Sequence, residues 1–316
     1  MKQQSAEDMT KRYFDLKKTF GDIHQRVVHP DIGGEVAEED TKEDLLEEFT
    51  DYLSILPKEL HSKPEERKGE FSDTFAPYIG IVPLISVKKP KEKIVQKDIY
   101  AQYRKNYLAD LTKLIECYFP PLKVMFLDPL QVTKYETSNY KKVDPEFSTI
   151  INMENSKEYK IMKILGRMNV FHMAKAIRPL FSQKFCTIIA LTIEPIYDQK
   201  PKEGSFILGR ACGRVCIATM DNTTRAESFQ TIVHEAMHTF GLGHCEKWNC
   251  IMNWLSLDQH RCFLCLPDLI KMQHLFGFDI KERYLKLAKL YKRTLGWQDD
   301  YDWVKQAIDK INEKED

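Results

Sequence analysis

The amino-acid sequence predicts an α+β fold, a mixed sheet with helices packed on it and a run of helices at the carboxy end. Three observations carry that expectation. The run Cys186 to Ile193 is apolar almost throughout, as a strand buried on both faces must be. Shorter strand-like runs lie on either side of it. Leu45, Leu46, Phe49, Tyr52 and Leu53, and later Tyr100, Tyr103, Tyr107, Leu111, Leu114 and Ile115, recur at helical spacing instead.

Residues 1–75 read as a helical amino-terminal extension and linker. His29-Pro-Asp-Ile-Gly-Gly34 is a turn cluster that separates two helices. The second helix carries the Leu45 to Leu53 stripe, with the acidic residues of Glu38 to Glu48 on its solvated face. Lys58 to Phe75, rich in Pro, Glu, Lys and Ser, is an exposed linker. The main domain spans 76–316. It opens with a strand from Ile79 to Val87 broken by Pro83, a basic loop from Lys88 to Lys93 and a long helix from Asp98 to Tyr118. After Pro120-Pro121 come strands at Val124 to Leu127 and Leu130 to Tyr135, a helix over Tyr159 to Ala176, and the central strand. Peripheral strands at Phe206 to Leu208 and Arg214 to Met220 flank the Gly209 and Gly213 kinks. Helices at Leu266 to Phe276, Ile280 to Leu295 and Asp300 to Asn312 complete the domain.

Composition narrows the function. The 47 Lys and Arg balance the 47 Asp and Glu, so no net field gathers nucleic acid or an anionic membrane. MKQQSAEDMTKRYFDLKKTF has no secretory pattern, and no apolar stretch is long enough to span a bilayer. The expectation is a monomeric, cytoplasmic protein, with nuclear entry left open and neither nucleic acid nor membrane as partner. Four of its eight cysteines, Cys245, Cys250, Cys262 and Cys265, crowd one segment of a chain without an export signal, which favours metal binding over disulfides.

The run His234-Glu-Ala-Met-His-Thr-Phe-Gly-Leu-Gly-His244 carries the chemistry. On a helix, residues four apart share a face, so His234 and His238 can chelate one ion. Glu235 then projects beside the metal and can take a proton from bound water. A straight helix cannot bring in a third ligand. Gly241 breaks it, because a residue without Cβ can adopt the left-handed conformation that turns the chain back, and Gly243 gives latitude before His244 arrives. Three imidazoles leave a tetrahedral zinc one open position, the mark of a catalytic site. The four clustered cysteines suit a second, closed and structural zinc, adjacent to His244 through Cys245. Two zinc ions per chain follow. Cys117 and Cys186 read as core residues, whereas Cys212 and Cys216, four apart across Gly213, could bind metal and are as well explained as small apolar residues of a strand. His274 reads as a packed or surface residue. Asp258 and His260 are candidates for orienting the ligands.

HExxHxxGxxH is the metzincin signature, and the residues after it resemble those of the archaemetzincin family. There the third His is followed by Cys, then Cys-x-Met and Cys-x-x-Cys; here stand His244-Cys245, Cys250-Ile-Met252 and Cys262-Phe-Leu-Cys265. Upstream, Cys186 to Asp198 resembles the family's central strand and following loop. Downstream, Glu282-Arg-Tyr284 and the Trp-containing end resemble its terminal helices. The resemblance runs from about Ile79 onward and implies a metzincin-like fold, an intracellular zinc peptidase acting in some members as an aminopeptidase, and a second zinc. It makes Met252 the residue of a tight turn beneath the imidazoles, a supporting role shared with Gly241. The connection between Met252 and Cys262 is shorter than the family's usual one. A peptide or protein substrate is implied, added as a strand to a sheet edge for which Arg214 to Met220 is the nearest candidate. Exopeptidase and endopeptidase action both stay open, as does the alternative of an inactive zinc-binding scaffold. Glu235 favours the enzyme, since a scaffold needs the ligands and not the base.

Overall fold

The computed structural model describes residues 2–20, 23, 28–29, 35–36, 40–56, 78–87, 107–135, 147–152, 157–165, 168–181, 185–198, 206–221, 223–253, 262–293 and 297–315. The chain begins with α1 (Lys2–Phe20), a short ladder of β1 (Val28–His29) and β2 (Glu35–Val36), and α2 (Lys42–Ile55). Next come β3 (Tyr78–Val87), α3 (Tyr107–Tyr118), β4 (Lys123–Phe126), β5 (Leu130–Tyr135), β6 (Phe147–Asn152), β7 (Lys157–Leu165) and β8 (Met168–Asn169). They are followed by α4 (Val170–Phe181), β9 (Phe185–Thr192), β10 (Ile196–Tyr197), β11 (Phe206–Ile207), β12 (Gly209–Cys212) and β13 (Val215–Thr219). The last elements are α5 (Arg225–Thr239), α6 (Leu266–Phe276), α7 (Ile280–Tyr291) and α8 (Gln298–Glu315). These residues divide into two units. One comprises residues 76–112 and 123–240; the other comprises 1–75, 113–122 and 241–316.

The first unit is the α+β body. Its eight-stranded sheet has the order β12-β13-β9-β3-β5-β7-β6, with β4 also paired to β3. The inner strands run parallel, and antiparallel β12 and β6 close the two ends. Every residue of β9 is buried, because it has neighbours on both edges and cover on both faces. One face packs Ile188, Ala190, Val215 and Ile217 against Val170, Met173 and Ile177 of α4. The other is covered by α5, which packs on β13, β12 and β9.

Three sequence expectations need correction here. Pro83 does not break its strand: β3 runs through it, pairing with β4 up to Ile81 and with β5 from Leu84. The missing N–H falls where the ladder changes partner, so no bond is lost. The helix expected over Tyr159 to Ala176 is instead the strand β7, paired with β5 and β6, and helix begins only at Val170. Finally, Arg214 to Met220 is not an edge. The turn at Gly213, φ 63°, folds β12 back along β13, so β12 is the outer strand among the described residues.

The second unit is helical. In it α1 packs against α2, α6 and α8, and α7 packs on α8. Tyr118 and Tyr291 share a hydroxyl hydrogen bond of 2.7 Å, and Phe263 stacks on Trp303 with centroids 4.1 Å apart. Arg283 lies against the rings of Tyr118, Phe278 and Tyr284. The turn cluster after His29, the linker at 57–77, the basic loop and the start of the helix expected from Asp98 lie outside the described residues. So do Asp258 and His260. Among the described residues no helix is long and apolar enough to cross a membrane.

Candidate functional site

α5 starts with a capping box: Thr224 Oγ1 accepts from the N–H of Glu227, whose carboxylate accepts from the N–H of Thr224. Its buried stripe includes Phe229, Ile232, Val233, Ala236 and Met237, and Tyr107 of α3 adds a ring against Phe229 and a 2.9 Å hydrogen bond to Ser228. At the far end Thr239 hydrogen-bonds Thr187 of β9. A helix seated this way holds its flanking residues at a set angle to the sheet. His234, Glu235 and His238 are three of them.

The His234 and His238 Nε2 atoms are 3.1 Å apart. Two nitrogens bound to one tetrahedral zinc stand about 3.3 Å apart, given bond lengths of about 2.0–2.1 Å. Candidate donor nitrogens of His234, His238 and His244 all lie within 4.8 Å of one another. The helix ends at Phe240, and Gly241 turns the chain with φ 87°. A Cβ there would also meet Ile55 Cδ1 at 2.6 Å. Gly243 shows no positive φ and has open space around it, so nothing in the turn requires glycine at that position.

Glu235 is buried beneath β12. Burial pushes its carboxyl up to about 7, against the pull of the Ala211 N–H, which donates to it, and of the Arg210 guanidinium. Such a group takes up a proton readily near neutral pH. β12 also accommodates it sterically: a Cβ on Gly209 would lie 2.7 Å from both Glu235 Cγ and Thr231 Cγ2. Gly209 and Ala211 were not among the residues expected to matter. Their contribution is backbone, and no motif announces it.

Thiols of Cys245, Cys250 and Cys265 come together, and the fourth member of the group is the carboxylate of Asp268 rather than Cys262. Cys262 is buried, its N–H donating to Asp300 Oδ1 at 2.7 Å and its carbonyl accepting from Tyr291 at 2.7 Å. Hydrogen bonds from Cys250 and Cys265 hold the Cys245 thiol far below its ordinary value, while burial pushes those two well up. A zinc ion bound there would displace the thiol protons, because the thiolate is the ligating form. Soft, buried sulfurs at this spacing fit zinc. Met252 is fully buried, and its carbonyl accepts from the Cys245 N–H at 2.9 Å, which ties the turn at residues 250–253 to the residue after His244.

No protein-family profile matches the chain. Archaemetzincin-2 of Mus musculus is 26% identical over 238 residues, 61% of this chain and 59% of the relative. Archaemetzincin-1 of Homo sapiens is 39% identical over 67 residues, 20% of this chain and 14% of its own, and human archaemetzincin-2 is 39% identical over 77 residues, 23% and 19%. The chain therefore spans less than two thirds of the length of the relatives it matches. The crystal structure of archaemetzincin from Methanopyrus kandleri aligns with a TM-score of 0.39 at 17% identity, covering 63% of this chain and 96% of that one. In its motif residues and its curated relatives the chain is similar to the archaemetzincin family.

Proposed function

We propose that the protein is a zinc-dependent peptidase that hydrolyses peptide bonds, with one zinc held by His234, His238 and His244 and with Glu235 as general base. The observation carrying this reading is the pairing of two imidazole nitrogens 3.1 Å apart on one turn of α5 with a buried carboxylate on the adjacent residue. Zinc there would supply Lewis acidity and bring the pKa of water to about neutral. Glu235 accepts the proton of the attacking water and passes it to the leaving amine, and the Ala211 N–H and the gap at Gly209 keep its carboxylate aimed. An extended substrate pairs with the outer edge of β12, the strand that also holds Glu235. A second zinc on the cysteine cluster is structural, since it fixes Cys245 and through it the backbone of His244. Aminopeptidase-type cleavage, implied for some members by the family resemblance, belongs to this reading and is checked by mass spectrometry of a digested peptide library.

Glu235→Gln should reduce peptide hydrolysis by roughly 10²–10⁴-fold, the usual contribution of a positioned base, while zinc content stays at the wild-type level. Wild-type turnover in this variant would sink the mechanism. An inactive wild type that retains both ions would leave the zinc scaffold as the better reading.

A further inference from the structure

We infer that Asp40 and the end of α2 position the third imidazole: they hold the loop at residues 241–247 on both sides of His244. This deepens the peptidase reading and rests on zinc binding at His234, His238 and His244.

His244 has little packing of its own. It is exposed, as is Gly243 before it, and a Cβ on Gly243 would meet nothing within 4 Å. A site group must be held to within about 0.5 Å of its working position, so this one takes its place from the backbone on either side. Three residues upstream, Gly241 turns the chain with φ 87°, and α2 covers the face that its missing side chain leaves bare. A Cβ there would lie 2.6 Å from Ile55 Cδ1 and 3.6 Å from Tyr52 Cε2. Three residues downstream, Lys247 Nζ pairs with Asp40 Oδ1 at 2.7 Å.

Both anchors are themselves fixed. Asp40 is buried, and its Oδ2 accepts from the Tyr13 hydroxyl of α1 at 3.3 Å. A pair of exposed side chains would hold little, whereas a buried, oriented carboxylate sets a direction for the ammonium that it accepts from. Thr41, the next residue, caps α2. Along α2, Leu45, Phe49 and Leu53 are buried, and Glu48 accepts from Lys271 Nζ of α6 at 2.5 Å. The same ammonium lies 5.8 Å from the centre of the Tyr52 ring. The helix thus grips α6 along its length and the His244 loop at its end.

The full chain carrying Lys247→Met and Ile55→Ala together tests this. Both side chains are largely exposed, 45% for Lys247 and 61% for Ile55, so their loss spares the core. In competition with a chelator the double variant should hold zinc at the imidazoles about 10–100-fold more weakly, the usual effect of losing groups that orient a ligand. The melting temperature of the zinc-loaded protein should stay near wild type. At saturating zinc, kcat should fall while the KM for a peptide holds, because the edge of β12 is untouched. Lys247→Arg, in which a cation still reaches Asp40, should recover the affinity lost in Lys247→Met. Wild-type zinc affinity in the double variant, or a loss that only follows a lowered melting temperature, overturns the inference and leaves the peptidase reading standing. A wild-type protein that binds no zinc at the imidazoles removes both.

Discussion

At the scale of single residues, a carboxylate serves as a base only where it is both aimed and partly dehydrated. Glu235 meets both conditions through atoms of another strand: the Ala211 N–H aims it, and the missing side chain of Gly209 leaves it room. Adding a methyl at 209 must push aside Glu235 or Thr231, since the new carbon would lie 2.7 Å from each. Gly209→Ala should therefore lower kcat/KM on the order of 10²-fold, the effect of displacing a catalytic group by about 1 Å. Zinc content should be unchanged, and normal activity in this variant would remove β12 from the aiming of the base. The contrast with the histidines shows what a sequence makes readable. His234 and His238 are related by helix geometry alone, and Gly241 announces its turn because few other residues tolerate φ 87°. Gly209 is invisible as a site residue, because its role exists only once a distant strand lies beside α5. Asp268 is hidden for another reason. An aspartate in the first turn of a helix has an ordinary explanation in the helix dipole, which conceals any second use.

At the scale of elements, the orientation of α5 decides where the imidazoles and Glu235 stand. Its start is defined by the reciprocal bonds of Thr224 and Glu227, and its body by the apolar stripe set on β13, β12 and β9. Only the first is removable without touching the site. Thr224→Ala should cost about 1 kcal/mol, read as a lower urea midpoint, and kcat under folding conditions should stay close to wild type because packing continues to hold the helix. A large kcat loss with an unchanged midpoint would mean that the cap positions the site directly. The helix, the central strand and the three carboxy-terminal helices were legible because long periodic or uniformly apolar runs have one comfortable solution. β7 was not. Lys157–Leu165 mixes Ile, Met and Leu with Lys and fits either period over so short a run; what makes it a strand is pairing with β5 and β6. Pro83 misled for a related reason: whether a proline interrupts a strand depends on which of its neighbours needs the missing N–H, and that is fixed by β4 and β5.

At the scale of the whole molecule, the two donor sets differ in kind, and that difference should be measurable as an order of events. The imidazole set is open: His244 is exposed, and His234 and His238 are half-buried. The cysteine set is closed, with Cys250, Cys265 and Asp268 all buried, and it sits among contacts that tie the amino-terminal residues to those after Gly241, including Lys247 to Asp40 at 2.7 Å and Lys271 to Glu48 at 2.5 Å. An accessible ion bound by neutral nitrogens exchanges faster than a buried one bound by thiolates. Mild chelation should therefore abolish hydrolysis while one ion per chain, the circular dichroism and the melting temperature are largely kept, and added zinc should restore activity. Cys265→Ser should act in the opposite sense, lowering the melting temperature by about 5 °C or more because structural zinc contributes folding free energy directly. Its activity should fall only in proportion to the folded fraction and to the loosening of Cys245 beside His244. Elemental analysis alongside calorimetry settles the order: a single zinc in untreated wild type, or an unaltered melting temperature in Cys265→Ser, would rule out a structural role for the cysteine cluster, whereas simultaneous loss of both ions under mild chelation would show that the two sites are not independent.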